Sequence, residues 1–319
     1  LFFSSRRRHT RSASVSWARR CVLETAPCFV TVVIDAKYKS LFILPAIGVD
    51  VLLLIVSLVM LVISNETTAW LGAAVASLPL LFVMTQLRFH PKPRTSDNLP
   101  LFLFIVASGV MAAGWEQFIE ETSGWGPTTV ALSAAVLFLF YVYWFSRFGR
   151  FDSAYLMVGS KLPNFTLSDV DGKAFDDESL KGRPAVVVFF RGNWCPICMA
   201  QIRELADRAE DMEAMGVRVV LISPQPIEAG NELARKYDAT FRFLVDEGNK
   251  LASELGIAVT HGVPLGVSGL HSRATVLPTV VVTNENGTIL YSDQTDNYRV
   301  RPEPDIFLAI LRRAGAGAS

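Results

Sequence analysis

The stretch Phe189-Phe190-Arg191-Gly192-Asn193-Trp194-Cys195-Pro196-Ile197-Cys198 decides the fold. An apolar, β-branched run from Ala185 to Phe190 leads into it. Gln201-Ile202-Arg203-Glu204-Leu205-Ala206-Asp207 leaves it with helical spacing. The pattern predicts strand, short loop, Cys-x-x-Cys and helix. A cysteine at a helix N-terminus faces unpaired backbone N–H groups and the positive end of the helix dipole. Both favour thiolate, the reactive form. The spacing lets Cys198 reach Cys195 and close a small disulfide. Pro196 suits the first helical turn, where its missing N–H has no helical partner.

Half of a zinc knuckle is the rival reading. Zinc takes about four ligands, usually from a second Cys or His pair. No second pair follows, and His261 and His271 are not at finger spacing. Redox chemistry is therefore expected, with no metal and no cofactor.

The 319 residues suffice for about two domains. The 51% hydrophobic content is high for a soluble protein. Thirty Lys and Arg balance thirty Asp and Glu, which leaves no electrostatic case for a nucleic-acid partner. Cys21, Cys28, Cys195 and Cys198 do not make a disulfide framework. Leu1 to Arg11 resembles translated sequencing-adapter sequence. Residues 1–35 are therefore expected to be non-native or disordered, and Cys21 and Cys28 receive no role. A basic arm built on Arg6, Arg7 and Arg8 is the other reading.

Between residues 36 and 150 lie four apolar segments, Leu41–Ile63, Ala69–Leu87, Leu101–Trp115 and Thr129–Phe145. Most approach the ~20 residues that span a bilayer, so a four-helix transmembrane domain is expected. Asp50 interrupts the first segment and is expected to pack against another helix or lie near a boundary. Lys37 and Lys39, then Arg88, Lys92 and Arg94, then Arg147 and Arg150 mark three basic stretches. The other two loops hold Glu66 and Glu116, Glu120 and Glu121. By the positive-inside rule both chain ends face the cytoplasm of a bacterial inner membrane, with Tyr141, Tyr143 and Trp144 at the inner interface.

Residues 151–319 alternate short β-branched runs with amphipathic segments. Strands are expected at Leu162–Leu167, Val217–Ile222 and Phe241–Val245, and helices around Ile227–Tyr237 and Asn249–Leu255. Val280–Thr283 and Thr288–Tyr291 flank the turn Asn284-Glu285-Asn286-Gly287, and Ile306–Arg313 closes as a helix. This order indicates an α/β three-layer sandwich.

The opening Gly159-Ser160-Lys161-Leu162-Pro163-Asn164-Phe165, the core from Phe189 to Leu205 and the segment Val276-Leu277-Pro278-Thr279-Val280-Val281 resemble the thioredoxin-like superfamily. The likeness is to its peroxiredoxin branch, the alkyl hydroperoxide reductase and thiol-specific antioxidant (AhpC/TSA) family. The resemblance implies an α/β/α sandwich. It implies Cys195 as nucleophile, the more exposed of the pair, Cys198 as resolving cysteine and Pro278 as a cis-proline shaping the substrate groove. Arg191 and Trp194 complete the expected site.

Departures accompany the likeness. Peroxiredoxins carry Thr-x-x-Cys, and in that frame the threonine position is Cys195. Their arginine would fall near Leu277, with Arg191 or Arg273 as substitutes. The buried acid of thioredoxin would fall near Val188. His261 or His271 are candidate proton donors, against a bland reading as solvated loop histidines.

These residues predict a membrane-anchored thiol oxidoreductase. Its partners are the bilayer, a peroxide or disulfide substrate, and a reducing thioredoxin-type protein or low-molecular-weight thiol. The alternative is a non-enzymatic redox sensor whose disulfide state alters a membrane partner.

Overall fold

The computed structural model describes residues 25–119, 124–237, 240–264 and 273–316. His271 and Cys21 lie outside the described residues.

Four helices come first: α1 (Thr25–Ile63), α2 (Thr67–Phe89), α3 (Pro100–Ile119) and α4 (Gly126–Phe140). A π-turn, Tyr141–Phe145, prolongs α4. α1 begins inside the segment expected to be non-native or disordered. The bundle has an inverted size pattern. Leu52, Val62, Phe82, Phe104, Met111 and Phe140 are exposed, whereas Ala69, Ala73, Ala76, Ala113, Ala131 and Ala134 are buried. Water would drive the large side chains inward. Lipid does not, and small residues at helix contacts then let backbones approach. At the α2–α3 crossing a Cβ on Gly72 would stand 2.5 Å from Ala113 N, and one on Gly109 2.7 Å from Ala76 N. Glycine is required at both positions. α1 from Asp35, α2, and α4 with its π-turn are long and apolar enough to cross a membrane; the apolar part of α3, Pro100–Trp115, is shorter. Asp50 sits inside the bundle, fully buried, and its carboxylate has no partner among the described residues.

The second half is a mixed sheet with helices on both faces. Its strands are β1 (Thr166–Asp169), β2 (Ala174–Asp176), β3 (Ala185–Phe189), β4 (Arg218–Ser223), β5 (Arg242–Val245), β6 (Ala258–Val259), β7 (Thr275–Val276), β8 (Thr279–Thr283) and β9 (Ile289–Asp293). The helices are α5 (Pro196–Ala206), α6 (Ala209–Ala214), α7 (Ile227–Tyr237), α8 (Lys250–Glu254) and α9 (Pro304–Arg313). The sheet runs β2-β1-β5-β4-β3-β8-β9, with β6 and β7 paired separately. β3 pairs parallel with β4 and antiparallel with β8, so it lies inside the sheet. Every β3 residue is buried, which explains its unbroken apolar run. Val186 and Val188 pack towards Ile202, Leu233 and Phe307; Val187 and Phe189 pack towards Leu251 and Leu255. Those two cores make the three layers, as expected for a thioredoxin-like fold.

The halves meet at the basic end of the bundle. Arg299 is fully buried there. It donates to the Ser146 hydroxyl (3.1 Å), the Thr95 hydroxyl (2.8 Å) and the carbonyls of Ser96 (3.0 Å) and Asp97 (2.9 Å). Arg94 bridges to Glu204 and Glu303, and Arg147 to Asp97. The second half therefore sits on the side of the basic loops.

Candidate active site

β3 delivers the chain into a loop, and the loop delivers Cys195 to the start of α5. Cys195 is the residue before the helix, Pro196 opens it, and the Cys195 carbonyl accepts the first helical bond from Met199 N (3.0 Å). Gly192 has φ +140°, and a Cβ there would strike Gln225 at 2.5 Å and the Trp194 ring nitrogen at 2.8 Å. Only glycine fits so close a turn. Gln225 then clamps the loop. Its carbonyl accepts from Asn193 N (2.6 Å) and its amide donates to the Asn193 side chain (2.8 Å). Nothing in the sequence singles out Gln225, because it arrives from the end of β4.

Both sulfurs are buried, Cys195 at 4% exposure and Cys198 at 1%. The expected exposed nucleophile is therefore only marginally the more open of the pair. The helical half covers it: Ala36, Ile43, Met84 and Leu87 join Cys195 in lining one cavity of about 200 Å³.

The electrostatics separate the two thiols. A hydrogen bond from the Cys198 thiol lowers the Cys195 pKa to about 6. Burial opposes the shift; Arg191, the Cys198 backbone N–H and Arg301 assist it. Cys198 moves the other way, well above the ordinary thiol value, because it donates that hydrogen bond and is buried. One thiolate held by one thiol is the arrangement that dithiol chemistry uses.

Arg191 and Trp194 both line the cavity. The Arg191 guanidinium lies 4.8 Å from the Trp194 ring centre and 5.7 Å from that of Phe148, and it donates to the Gly262 carbonyl. Its Nε has no partner among the described residues. Arg273 is exposed and His261 bonds the neighbouring Thr260 hydroxyl; neither lines the cavity.

Pro278 departs from expectation. No cis peptide occurs among the described residues, so Pro278 is trans. The chain is extended here between β7 and β8. Leu277 N donates to Ile257 O (2.7 Å), and Arg150 donates to the Pro278 carbonyl (2.9 Å). An extended X-Pro step of this kind is satisfied by trans geometry, the form that tertiary amides prefer by roughly 0.5–1 kcal/mol. Leu277, not Pro278, lines the cavity.

Arg301 is a further residue that sequence reading missed. It is 2% exposed, its guanidinium stands 5.9 Å from the Phe148 ring centre, and its Nε and Nη2 have no partner among the described residues. Its charge acts on both sulfurs, and burial lowers its pKa. Among the described residues no group of three or more His, Cys, Asp or Glu stands together to hold a metal.

Residues 158–292 match the AhpC/TSA family. Peroxiredoxin Q, chloroplastic, from Oryza sativa subsp. japonica is 36% identical over 149 residues, 46% of this chain and 62% of that protein. The chain thus spans less than two thirds of that relative's length. The thiol-disulfide oxidoreductase ResA of Bacillus cereus is 26% identical over 127 residues, 40% of this chain and 70% of that protein. Among solved structures, peroxidoxin BcpB from Mycobacterium tuberculosis superposes with a TM-score of 0.42 at 20% identity, covering 50% of this chain and 97% of that one. Residues 158–292 are thus similar to AhpC/TSA proteins, peroxiredoxin Q among them, and follow an N-terminal helical region.

Proposed function

We propose that this chain is a membrane-anchored thiol oxidoreductase working through Cys195 and Cys198, with the helices of residues 36–150 as anchor and residues 151–319 as redox domain. The observation that carries the reading is the paired shift of the two thiols, Cys195 down to about 6 and Cys198 up. At neutral pH Cys195 is then the thiolate that attacks, and Cys198 keeps the proton until it resolves the adduct. A disulfide substrate gives a mixed disulfide on Cys195. A peroxide gives a sulfenic acid that condenses with Cys198. Both routes end in the Cys195–Cys198 disulfide, which a thioredoxin-type protein or a small thiol then reduces. Arg191 supports the thiolate, and its charge would stabilise the oxygen that departs from a peroxide. Trp194 holds Arg191 by its ring face.

The anchor reading rests on the outward apolar side chains and on three basic stretches gathered beside the redox domain. It places that domain in the cytoplasm of a bacterial inner membrane, where thiols are kept reduced.

The test uses the full chain in lipid nanodiscs, reduced and freed of reductant, then mixed in stopped flow with hydrogen peroxide or with a small disulfide. Loss of two thiols per chain, mapped to Cys195–Cys198 by mass spectrometry, is expected. Thiols unchanged under both oxidants would refute the reading. A reporter fused at residue 319 should read cytoplasmic; an external signal would overturn the topology.

A further inference from the structure

We propose that the cavity beside Cys195 is a site for a prenylated quinone that enters from the bilayer, and that the Cys195–Cys198 dithiol reduces it to the hydroquinone. This rests on the dithiol and anchor readings above and adds a substrate class to them.

Three observations carry it. First, the cavity is shared between the halves. Ile43 of α1 and Met84 and Leu87 of α2 face Cys195 across about 200 Å³. That volume suits one substituted six-membered ring rather than a protein segment. Both helices belong to the set long and apolar enough to cross a membrane, so the route into the cavity starts in lipid. Second, the lining is mixed. Trp194, Phe148 and Phe145 supply ring faces and Ile43, Met84 and Leu87 supply aliphatic ones, with Lys39 and Ser40 of α1 also on the wall. A planar ring with an apolar tail can meet both kinds of surface. Third, the cation Arg191 lines the cavity together with Cys195. A mostly apolar pocket with a charged donor group on its wall orients a polar group on its ligand. A ring carbonyl meets that need, and it gains negative charge as the ring is reduced.

The electron count closes without a further reactant. The Cys195 thiolate forms a C–S bond to a ring carbon. The Cys198 sulfur attacks the Cys195 sulfur, and the C–S bond breaks with its electron pair passing to the ring. The two protons lost from the dithiol end on the two ring oxygens. One dithiol and one quinone give one disulfide and one hydroquinone. Among the described residues, Cys195 is the cysteine that lines this cavity, and the helices contribute Ile43, Met84 and Leu87 to its wall.

The experiment uses the reduced full chain in nanodiscs with a fully substituted benzoquinone bearing one isoprenoid unit. Full substitution prevents a stable ring adduct from ordinary cysteine arylation. Quinone loss should match disulfide formation one for one. It should run at least tenfold faster than with the same concentration of free dithiothreitol. Ile43→Trp and Met84→Trp fill the lipid end of the cavity, and each should slow the quinone at least tenfold more than it slows hydrogen peroxide. Melting temperatures identify a variant that fails to fold; the second variant and a photoactivatable azidoquinone, expected to label peptides of α1 or α2, keep the question open to refutation. If hydrogen peroxide and a small disulfide oxidise the pair while the quinone reacts no faster than with dithiothreitol, the quinone site is overturned and the dithiol reading stands. If an acyl hydroperoxide is the oxidant selectively slowed by both tryptophans, the occupant is a lipid peroxide and the proposal fails. If no oxidant touches the pair, both readings fail together.

Discussion

The Arg191 guanidinium lies over the Trp194 ring, 4.8 Å from its centre, and Trp194 immediately precedes the nucleophile of the pair. The Arg191 charge lowers the Cys195 pKa. Arg191→Met keeps side-chain length and removes that charge. The Cys195 pKa should then rise by about one unit, equal to ~1.4 kcal/mol. The sign is fixed by the direction of the native shift. Alkylation by iodoacetamide should climb as pH rises through about 6 and level off above it. In Arg191→Met the same curve should move to higher pH. The folded pKa lies below the free-thiol value of about 8.5. The thiolate's contribution to stability is therefore present above that value and lost as pH falls through about 6. An unmoved alkylation curve in the variant would make Arg191 structural.

Arg301 presents the opposite combination of effects. It is buried with two unpartnered nitrogen atoms among the described residues, and the charge of Asp293 offsets only part of its desolvation. Its charge nevertheless lowers the Cys195 pKa. Arg301→Met should therefore raise the melting temperature while raising the Cys195 pKa. A stability gain of about 1–3 kcal/mol is the scale for removing an unsatisfied buried polar group. A less stable variant with an unchanged thiol would show that the guanidinium has a structural partner and no electrostatic role at the pair.

Arg299 tests the seam between the halves. It makes four hydrogen bonds to the Thr95–Asp97 loop and to Ser146, all across the seam. Arg299→Ala leaves buried carbonyls unmet and should cost about 3 kcal/mol or more. Since the seam also forms the cavity, limited proteolysis in the 90–98 loop should accelerate and the Cys195 alkylation rate should increase as the cover loosens. Equal alkylation rates in native and variant chains would show that the seam does not guard the sulfur.

The residues whose chemistry is local were legible before any coordinates. The β3 run, the Cys195 helix start and the helix Ile227–Tyr237 follow from periodicity within one element, and the structure has all three. β2, β6 and β7 escaped notice because they have three, two and two residues, too few for a period to register. Gln225, Arg299 and Arg301 escaped for another reason. Each matters through contacts with residues distant along the chain, and nothing in the run Tyr298-Arg299-Val300-Arg301 distinguishes buried arginines from solvated ones. The trans Pro278 has the same origin. The segment that carries it resembles one with a cis-proline, but here the peptide is trans, with Leu277 N bonded to Ile257 O and the Arg150 side chain to the Pro278 carbonyl.

The division of labour between the two sulfurs gives the most direct test of the register. In the thioredoxin frame Cys195 attacks and Cys198 resolves. In the peroxiredoxin frame the attacking residue is the second cysteine, and the position of Cys195 belongs to threonine. The hydrogen bond from the Cys198 thiol lowers the Cys195 pKa and raises that of Cys198. At pH 7 the thiolate is thus on Cys195, and Cys198, buried one turn inside α5, is protonated. Cys198→Ser keeps a hydroxyl donor beside Cys195 and removes the resolving sulfur. A small disulfide should then leave a stable mixed disulfide on Cys195, and hydrogen peroxide a sulfenic acid that dimedone captures at the same residue. Cys195→Ser should give neither adduct at comparable rate, because Cys198 alone has lost its acidic neighbour and is still buried. Mass spectrometry after trypsin locates the adduct, although both cysteines share a peptide, because fragment ions separate Cys195 from Cys198. An adduct on Cys198 in the Cys195→Ser chain, formed as fast as the one on Cys195 in the Cys198→Ser chain, would place the nucleophile in the peroxiredoxin register and assign Cys195 the position of the missing threonine.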